Sequence, residues 1–442
     1  MSFYDAIRIG ASGAADFEVE RSVRFNGQYE TNAQQFRRTG TSTVSTYTIS
    51  MWAKNCGVGT GVYRLLFSIG QENDANAGWV GMADGDHLYF QGGNGTHSTS
   101  TEKFRDPSAW FHFLISVNSN NFTVYINGTS IKTGTIRSLD TSTNGIRIGV
   151  NYGNYYPWDG YIADYYLIDG QALTPSSFTK TNAETGQLVP KLYTGSFGTE
   201  GAHLTFEDNS GITATTLGKD SSGNGNNYTP SGDWSVSAGT GNDSVEDTPT
   251  NNFATWHPLY TSKQTGGTTA YREGNLKLNT TTGSAGSLYP FGFTSFGATS
   301  GKWYAEFKCD TTSVAVGIAN NGQLDSDVSN NPYGAYANTS FIYTNSGEIR
   351  TNNGNLTNQA SYGSGDIIGV AMDLDNMKLY FHKNGTYINS GNPSTGSNGY
   401  TIGALPSGKT GDYVFSCGSN GASSVGVFAN LGQQTFSYSI PT

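Results

Sequence analysis

Short runs of alternating apolar and polar residues, separated by Gly, Asn, Ser and Pro, extend through most of this chain. The clearest is Tyr47-Thr48-Ile49-Ser50-Met51-Trp52-Ala53, which places Tyr47, Ile49, Met51 and Ala53 on one face of a strand. Ser22-Val23-Arg24-Phe25-Asn26 is a shorter run of the same kind, and Trp110 to Val117 follows a turn at Pro107. Phe122 to Ile126 leads into Asn127-Gly128 and then Thr129-Ser130-Ile131. Asn-Gly between two apolar runs predicts a tight hairpin, because both central residues of its turn need positive φ. The second half repeats the pattern. Lys302 to Phe307, Val314 to Ile318 and Asp366 to Asp373 read as strands; a turn at Asp375-Asn376 then leads to Met377 to His382 and to Asn384-Gly385. Ser424 to Phe428 and Gln434 to Ser439 close the chain as strands. Strand signals this regularly spaced predict β-sandwiches, not βαβ units.

A chain of 442 residues is too long for one ordinary core. The strand pattern divides it into an N-terminal arm (1–20), read either as a disordered leader or as an anchor that orders against a larger particle, a sandwich (21–190), a Gly/Asn/Ser/Thr-rich interdomain segment (191–260) and a second sandwich (261–442). Phe25, Ile49, Trp52, Leu114 and Ile126 are candidates for the first core, and Trp303, Phe307, Ile368 and Met372 for the second. The segment between them is read as packing on its neighbours through Tyr228, Trp234 and Trp256.

Composition narrows the partners. The chain has 59 Gly, 27 Tyr and 23 Phe, and only 13% of its residues are charged. That mixture suits strands and tight turns, and the aromatics supply enough apolar area for real cores. A net charge of −10 without a basic run argues against nucleic acid. No window approaches the roughly 20 apolar residues of a membrane helix. Asp5, Arg8, Asp16, Glu18 and Glu20 break up the first twenty residues, which argues against a secretion signal. Cys56, Cys309 and Cys417 have no metal-ligand spacing and read as reduced strand residues, with a Cys309–Cys417 pair between neighbouring strands left open. The six His are isolated from one another, so no metal site is expected.

Catalytic signatures are missing. There is no Gly-x-Ser-x-Gly elbow or dinucleotide fingerprint. The Glu-x-Asp-x-x-Glu spacing that would set two carboxylates on one strand face for glycoside hydrolysis is absent. Asp373 and Asp375 have period-2 spacing but sit at a hairpin turn, where Asp is favoured for backbone reasons. The candidate contact residues are Tyr152, Tyr155, Tyr156 and Trp158, interleaved with Gly and Asn. Aromatic faces beside amide donors suit sugar rings, and the same cluster could equally pack against the sandwich or a neighbouring subunit.

Over residues 20–180 the chain resembles laminin G-like, concanavalin A-like jelly rolls. The resemblance rests on Ser22 to Gly27, Tyr47 to Trp52, Trp110-x-His112 before Val124 to Gly128, and above all Asp159-Gly160-Tyr161-Ile162-Ala163-Asp164 through Thr174. It implies that this last run is a closing strand followed by a short helical turn. Asp220 to Asn227 resembles a polar loop of the same group, which in relatives lies near calcium; the plainer reading is a Gly/Asn turn, and no cofactor is expected. Over 295–442 the chain resembles SPRY domains, through Gly301 to Phe307, Val316 to Ala319, Gly365 to Asp375 and Leu379 to Gly385. In this order, with Asp247-Thr248-Pro249-Thr250-Asn251 between them, the two are similar to virion appendage proteins of marine tailed phages. The resemblance implies all-β tandem jelly rolls and a non-enzymatic tail fibre or capsid decoration. It further implies a virion location, contact with other virion proteins and host-surface glycan, and a homo-oligomer, most often a trimer. The alternatives are a free lectin-like adhesin and a polysaccharide-active enzyme.

Overall fold

The structure is a computed structural model. It describes residues 8–10, 17–27, 32–59, 61–70, 78–91, 97–136, 138–142, 145–235, 243–261, 268–281, 291–323, 339–351, 354–405, 407, 410–419 and 424–441. Most of the N-terminal arm lies outside these residues. Helix accounts for 3% and strand for 50% of the chain, in two compact units. The first spans Ile9–Ser237 and Gly241–Asn252, and the body of the second is Phe253–Thr442.

The first unit is a sandwich of two antiparallel sheets. Its strands are β1 (Ser22–Asn26), β2 (Gln35–Arg38), β3 (Tyr47–Asn55), β4 (Arg64–Ile69), β5 (Gly78–Met82) and β6 (His87–Gln91). They continue with β7 (His97–Lys103), β8 (Trp110–Asn118), β9 (Asn121–Ile126), β10 (Thr129–Thr135), β11 (Ile146–Ile148) and β12 (Asp159–Asp169). Three short strands follow: β13 (Ala202–Leu204), β14 (Thr229–Ser231) and β15 (Ser244–Val245). One sheet runs β10-β9-β8-β3-β12-β1-β15 with β13 on β12; the other runs β14-β2-β11-β4-β5-β6-β7. Period-2 alternation sends Ile49 and Met51 of the first sheet, and Phe67, Val80 and Phe90 of the second, into a shared core. Phe25 and Ile126 join them. Trp52 and Leu114 are buried too, but on the opposite face, in two satellite clusters. The alternation of β3 requires this for Trp52, since it shares a face with Thr48 and Ser50.

Residues 191–252 differ from expectation. Their described residues, 191–235 and 243–252, belong to the first unit, adding β13, β14 and β15 to its sheets and burying Leu217, Tyr228 and Trp234 in its core. Their Gly/Asn-rich composition reflects tight loops between these anchors. Buried ion pairs hold them as well. Arg24 Nη2 lies 2.8 Å from Asp243 Oδ1, Arg38 Nη2 3.0 Å from Glu200 Oε2, and Lys54 Nζ 2.9 Å from Asp247 Oδ2. Asp247 also accepts the Trp110 indole N–H.

The second unit is another two-sheet sandwich. Its strands are β16 (Trp256–Thr261), β17 (Thr268–Arg272), β18 (Lys277–Thr281), β19 (Phe291–Thr294), β20 (Lys302–Cys309) and β21 (Val314–Asn320). Then come β22 (Phe341–Thr344), β23 (Glu348–Thr351), β24 (Gly354–Asn358), β25 (Ile367–Asp373), β26 (Lys378–Lys383) and β27 (Thr386–Tyr387). The last are β28 (Tyr400–Thr401), β29 (Tyr413–Ser419) and β30 (Val425–Asn430). The orders are β16-β19-β29-β21-β22-β23-β24 and β17-β18-β30-β20-β25-β26-β27, with β28 on β26. Trp256, Phe307, Ile368 and Met372 lie in its core, with Trp303 half-buried against it.

Gln434 to Ser439 form no strand. They belong to a tail that docks on the outer face of β20, β25 and β26 through Phe436 and Ile440. Glu306, fully buried there, accepts the Ser437 and Tyr438 N–H groups at 2.7 and 2.8 Å and the Tyr304 hydroxyl at 3.0 Å. The cysteines are unpaired: Cys309 is on β20 and Cys417 on β29, in different sheets. Burial pushes the Cys309 thiol up to about 12, so it is no nucleophile at neutral pH.

Candidate binding site

The outer face of the β14-β2-β11-β4-β5-β6-β7 sheet gathers the groups best placed to meet a ligand. Phe36, Ile148, Phe67, Val80 and Phe90 point into the core, so their neighbours along each strand point out. The registers align five of these in one row across the strands, with Thr229 of β14 at its end. Thr229 pairs with Arg37, Arg37 with Arg147, Arg147 with Ser68, Ser68 with Trp79, and Trp79 with Gln91. At roughly 4.8 Å per strand, the row is about 24 Å long. A second row runs Leu65, Gly81, Tyr89.

Two loops rise over these rows. The loop before β4 carries Tyr63, 39% exposed, whose ring meets Tyr89 at 4.9 Å and Tyr156 at 5.6 Å between centroids. Asp86 fixes it: its carboxylate accepts the Gly59 N–H and pairs with Arg64, the residue next to Tyr63. Trp79 lies 6.1 Å from Tyr156, completing a four-ring platform. Burial, reinforced by Tyr63 and Tyr156, pushes the Tyr89 phenol up to about 12, so it stays a neutral donor to Gln91 Oε1. The second loop is closed by Asn151, whose Oδ1 accepts the Gly153 and Tyr155 N–H groups. Tyr155 lies over Gly153, where a Cβ would come within 2.6 Å of the ring.

Of the four residues singled out in the sequence, Tyr152 and Tyr155 are 39% and 46% exposed. Tyr156 is half-buried in the platform, tied down by the Leu65 N–H donating to its carbonyl. Trp158 is a correction. It is 0% exposed inside the core and presents no surface, because it begins the inward alternation that runs into β12. Tyr63, Trp79, Tyr89 and Arg37 escaped sequence reasoning because each lies far along the chain from Tyr152; Arg147 is near it in sequence, but only the register of β11 sets it opposite Arg37.

Residues 26–177 match the family model of the concanavalin A-like lectin/glucanases superfamily, of laminin G type, and residues 302–395 match that of the SPRY domain. The chain carries a concanavalin A-like domain followed by a SPRY domain. Among solved structures, it is similar to the SPRY domain of human HERC1, at 18% identity over 41% of this chain and 99% of that one, with a TM-score of 0.29. The SAP-like pentraxin of Limulus polyphemus matches at 16% identity over 40% and 94%, with a TM-score of 0.29. Domain 4 of the arabinanase AbnA from Geobacillus stearothermophilus, solved with arabinotriose, matches at 24% identity over 39% and 82%, with a TM-score of 0.28. No curated protein matches the chain.

Other polar clusters of the two domains are committed to structure. In the concanavalin A-like domain, Asp220 accepts N–H groups of His203, Ser222 and Asn226 and the Ser222 hydroxyl, so protein donors occupy its carboxylate. Ser50 Oγ lies 2.8 Å from His112 Nε2, but both are buried and burial lowers the His112 pKa to about 3. In the SPRY domain, Asp373 is bonded to Asn376 and Lys302, and Asp375 accepts the Gly301 N–H. Gly385 N–H donates to His382 Nδ1, so Nε2 carries the proton and donates to the Tyr304 oxygen at 2.6 Å. Among the described residues no three His, Cys, Asp or Glu are grouped to hold a metal.

Proposed function

We propose that the protein is a structural component of a bacteriophage virion, a surface appendage whose concanavalin A-like domain binds host-surface glycan without cleaving it. The observation that carries the glycan part is the four-ring platform with exposed Tyr63, Tyr152 and Tyr155 beside a row of hydroxyl, amide and guanidinium groups. Flat apolar faces next to hydrogen-bonding groups match the two faces of a pyranose ring. These groups bind; they include no pair of carboxylates for acid–base chemistry. The domain order supports the virion part, together with partner virion proteins and a closed cyclic oligomer, a trimer by preference.

The test takes cells and purified surface polysaccharide of a bacterial host. Wild type should bind both without releasing reducing ends, and Tyr63→Ala with Tyr155→Ala should lower affinity at least tenfold. Steady release of reducing ends, or binding indifferent to both changes, overturns the glycan reading. Deleting residues 1–15 should keep both domains folded and abolish incorporation into particles. Normal copy number of the truncated chain on virions would remove the anchoring role of the arm.

A further inference from the structure

Glycan binding in general does not require what stands at one end of the row. Arg37 and Arg147 are direct cross-strand partners of β2 and β11, on the same outward face. Like charges placed directly opposite each other destabilise a sheet. Arg37 is exposed, whereas Arg147 is 4% exposed beneath the Tyr152 ring, its guanidinium carbon 4.7 Å from the ring centre. Burial, and then Arg37, lower the Arg147 pKa to about 10, with Tyr152 acting in the opposite sense. Gln35 lies on the same face of β2; its Nε2 donates to Asn154 Oδ1, and its buried Oε1 has no hydrogen-bond partner. Exposed Thr229 stands on the other side of Arg37. Arg37 adds nothing to the core, and its place opposite Arg147 carries a standing cost.

We propose that this end of the face is an anion subsite, which makes the ligand an acidic glycan whose carboxylate or sulfate sits against Arg37 with Arg147 behind it. The proposal rests on the glycan reading of the same face. An anion between the two guanidinium groups turns their repulsion into two attractions, and the planar fork of Arg suits both carboxylate and sulfate. A neighbouring hydroxyl of the sugar meets exposed Thr229, while the next residues of the glycan run along the row toward Trp79.

The experiment measures affinity of the full chain for three oligosaccharide series of equal length: oligogalacturonate for carboxylate, carrageenan oligosaccharide for sulfate, and maltooligosaccharide as the neutral probe. At low salt, at least one acidic series should bind about tenfold more tightly than the neutral one, with the preference shrinking as salt rises. Which acidic series wins distinguishes carboxylate from sulfate. Arg37→Gln should abolish the preference, bringing the affinity for the acidic series down to that for the neutral one, and Lys132→Gln, on β10 of the other sheet, should leave the preference intact. Neutral binding as tight as acidic, or a preference that survives Arg37→Gln, overturns the anion subsite while the glycan reading stands. An equal loss in Lys132→Gln also overturns it, since the preference would then come from general charge. Binding of none of the three overturns both.

Discussion

The two sandwiches solve one problem by different means. Each must fasten a segment of weak strand character across its sheets. The concanavalin A-like domain does so with buried charge: Lys54 and Asp247 are both 0% exposed, and Arg24–Asp243 and Arg38–Glu200 are nearly as deep. The SPRY domain uses one carboxylate, Glu306, which accepts two backbone N–H groups and a hydroxyl. A chain with only 13% charged residues therefore places several of them inside, where breaking a pair costs far more than at the surface. The first solution depends on charge matching and the second on backbone geometry.

The hardest blow to this contrast is Asp247→Ala. It removes the carboxylate that neutralises the buried Lys54 ammonium, leaving Asn252 Oδ1 as a neutral acceptor, and frees the Trp110 indole; it should cost the first domain about 3–5 kcal/mol. Denaturant unfolding should show that domain's transition shifted and the SPRY transition unmoved; a loss under 1 kcal/mol would mean Lys54 finds water. Glu306→Ala should be milder, about 2–3 kcal/mol, because the freed Ser437 and Tyr438 amides can reach solvent as the tail lifts. Hydrogen exchange should then show these two amides unprotected while the β20–β25 ladder stays protected.

The smallest step, about 1.4 kcal/mol for each pH unit, sharpens the comparison through pH. Burial holds His112 neutral with a pKa of about 3 and His382 neutral with one of about 4. Below about 6.5 the unfolded chain takes up a proton that neither folded domain accepts. Stability is thus complete above pH 6.5 and falls by about 1.4 kcal/mol per pH unit for each His. The His382 contribution levels off at about pH 4, and that of His112 continues to about 3. Glu200, which burial alone would raise, is brought down to about 2 by Thr41, Ser42 and Arg38, so its pair is lost only at lower pH. Urea midpoints of both transitions between pH 7 and 4 check this, with His112→Gln and His382→Gln expected to flatten their own transition.

What could be read in advance follows from distance along the chain. The Asn-Gly hairpins were legible because their chemistry is local. Asn127 and Asn384 have φ of 48° each, and in both turns the Asn N–H and Oδ1 clasp one residue of the neighbouring strand, His112 of β8 or Ile367 of β25. The Tyr47–Ala53 face of β3 was legible for the same reason, as was the order of the two domains from their motifs, whereas Trp52 and Leu114, read as core, lie on the opposite face. The binding face was half legible: Tyr152 and Tyr155 lie in one loop, whereas the partnership of Arg37 with Arg147 depends on a register that no local pattern encodes. Composition misled at residues 191–252, where Leu217, Tyr228 and Trp234 are too sparse to announce a core. It misled again at Trp158, an aromatic among Gly and Asn that turns inward.

The long return of residues 191–252 also sets an order of events during synthesis. β1 pairs with β15, and the Arg24 N–H donates to the Asp243 carbonyl, more than two hundred residues downstream. At translation rates of about 5–20 residues per second, the β1 edge waits roughly ten to forty seconds for its partner. Meanwhile it presents unpaired backbone groups beside an open apolar core, the surface on which nascent chains stick to one another. The buried acids that complete this domain arrive last, so the nascent chain is most exposed to aggregation just before Asp243 and Asp247 emerge.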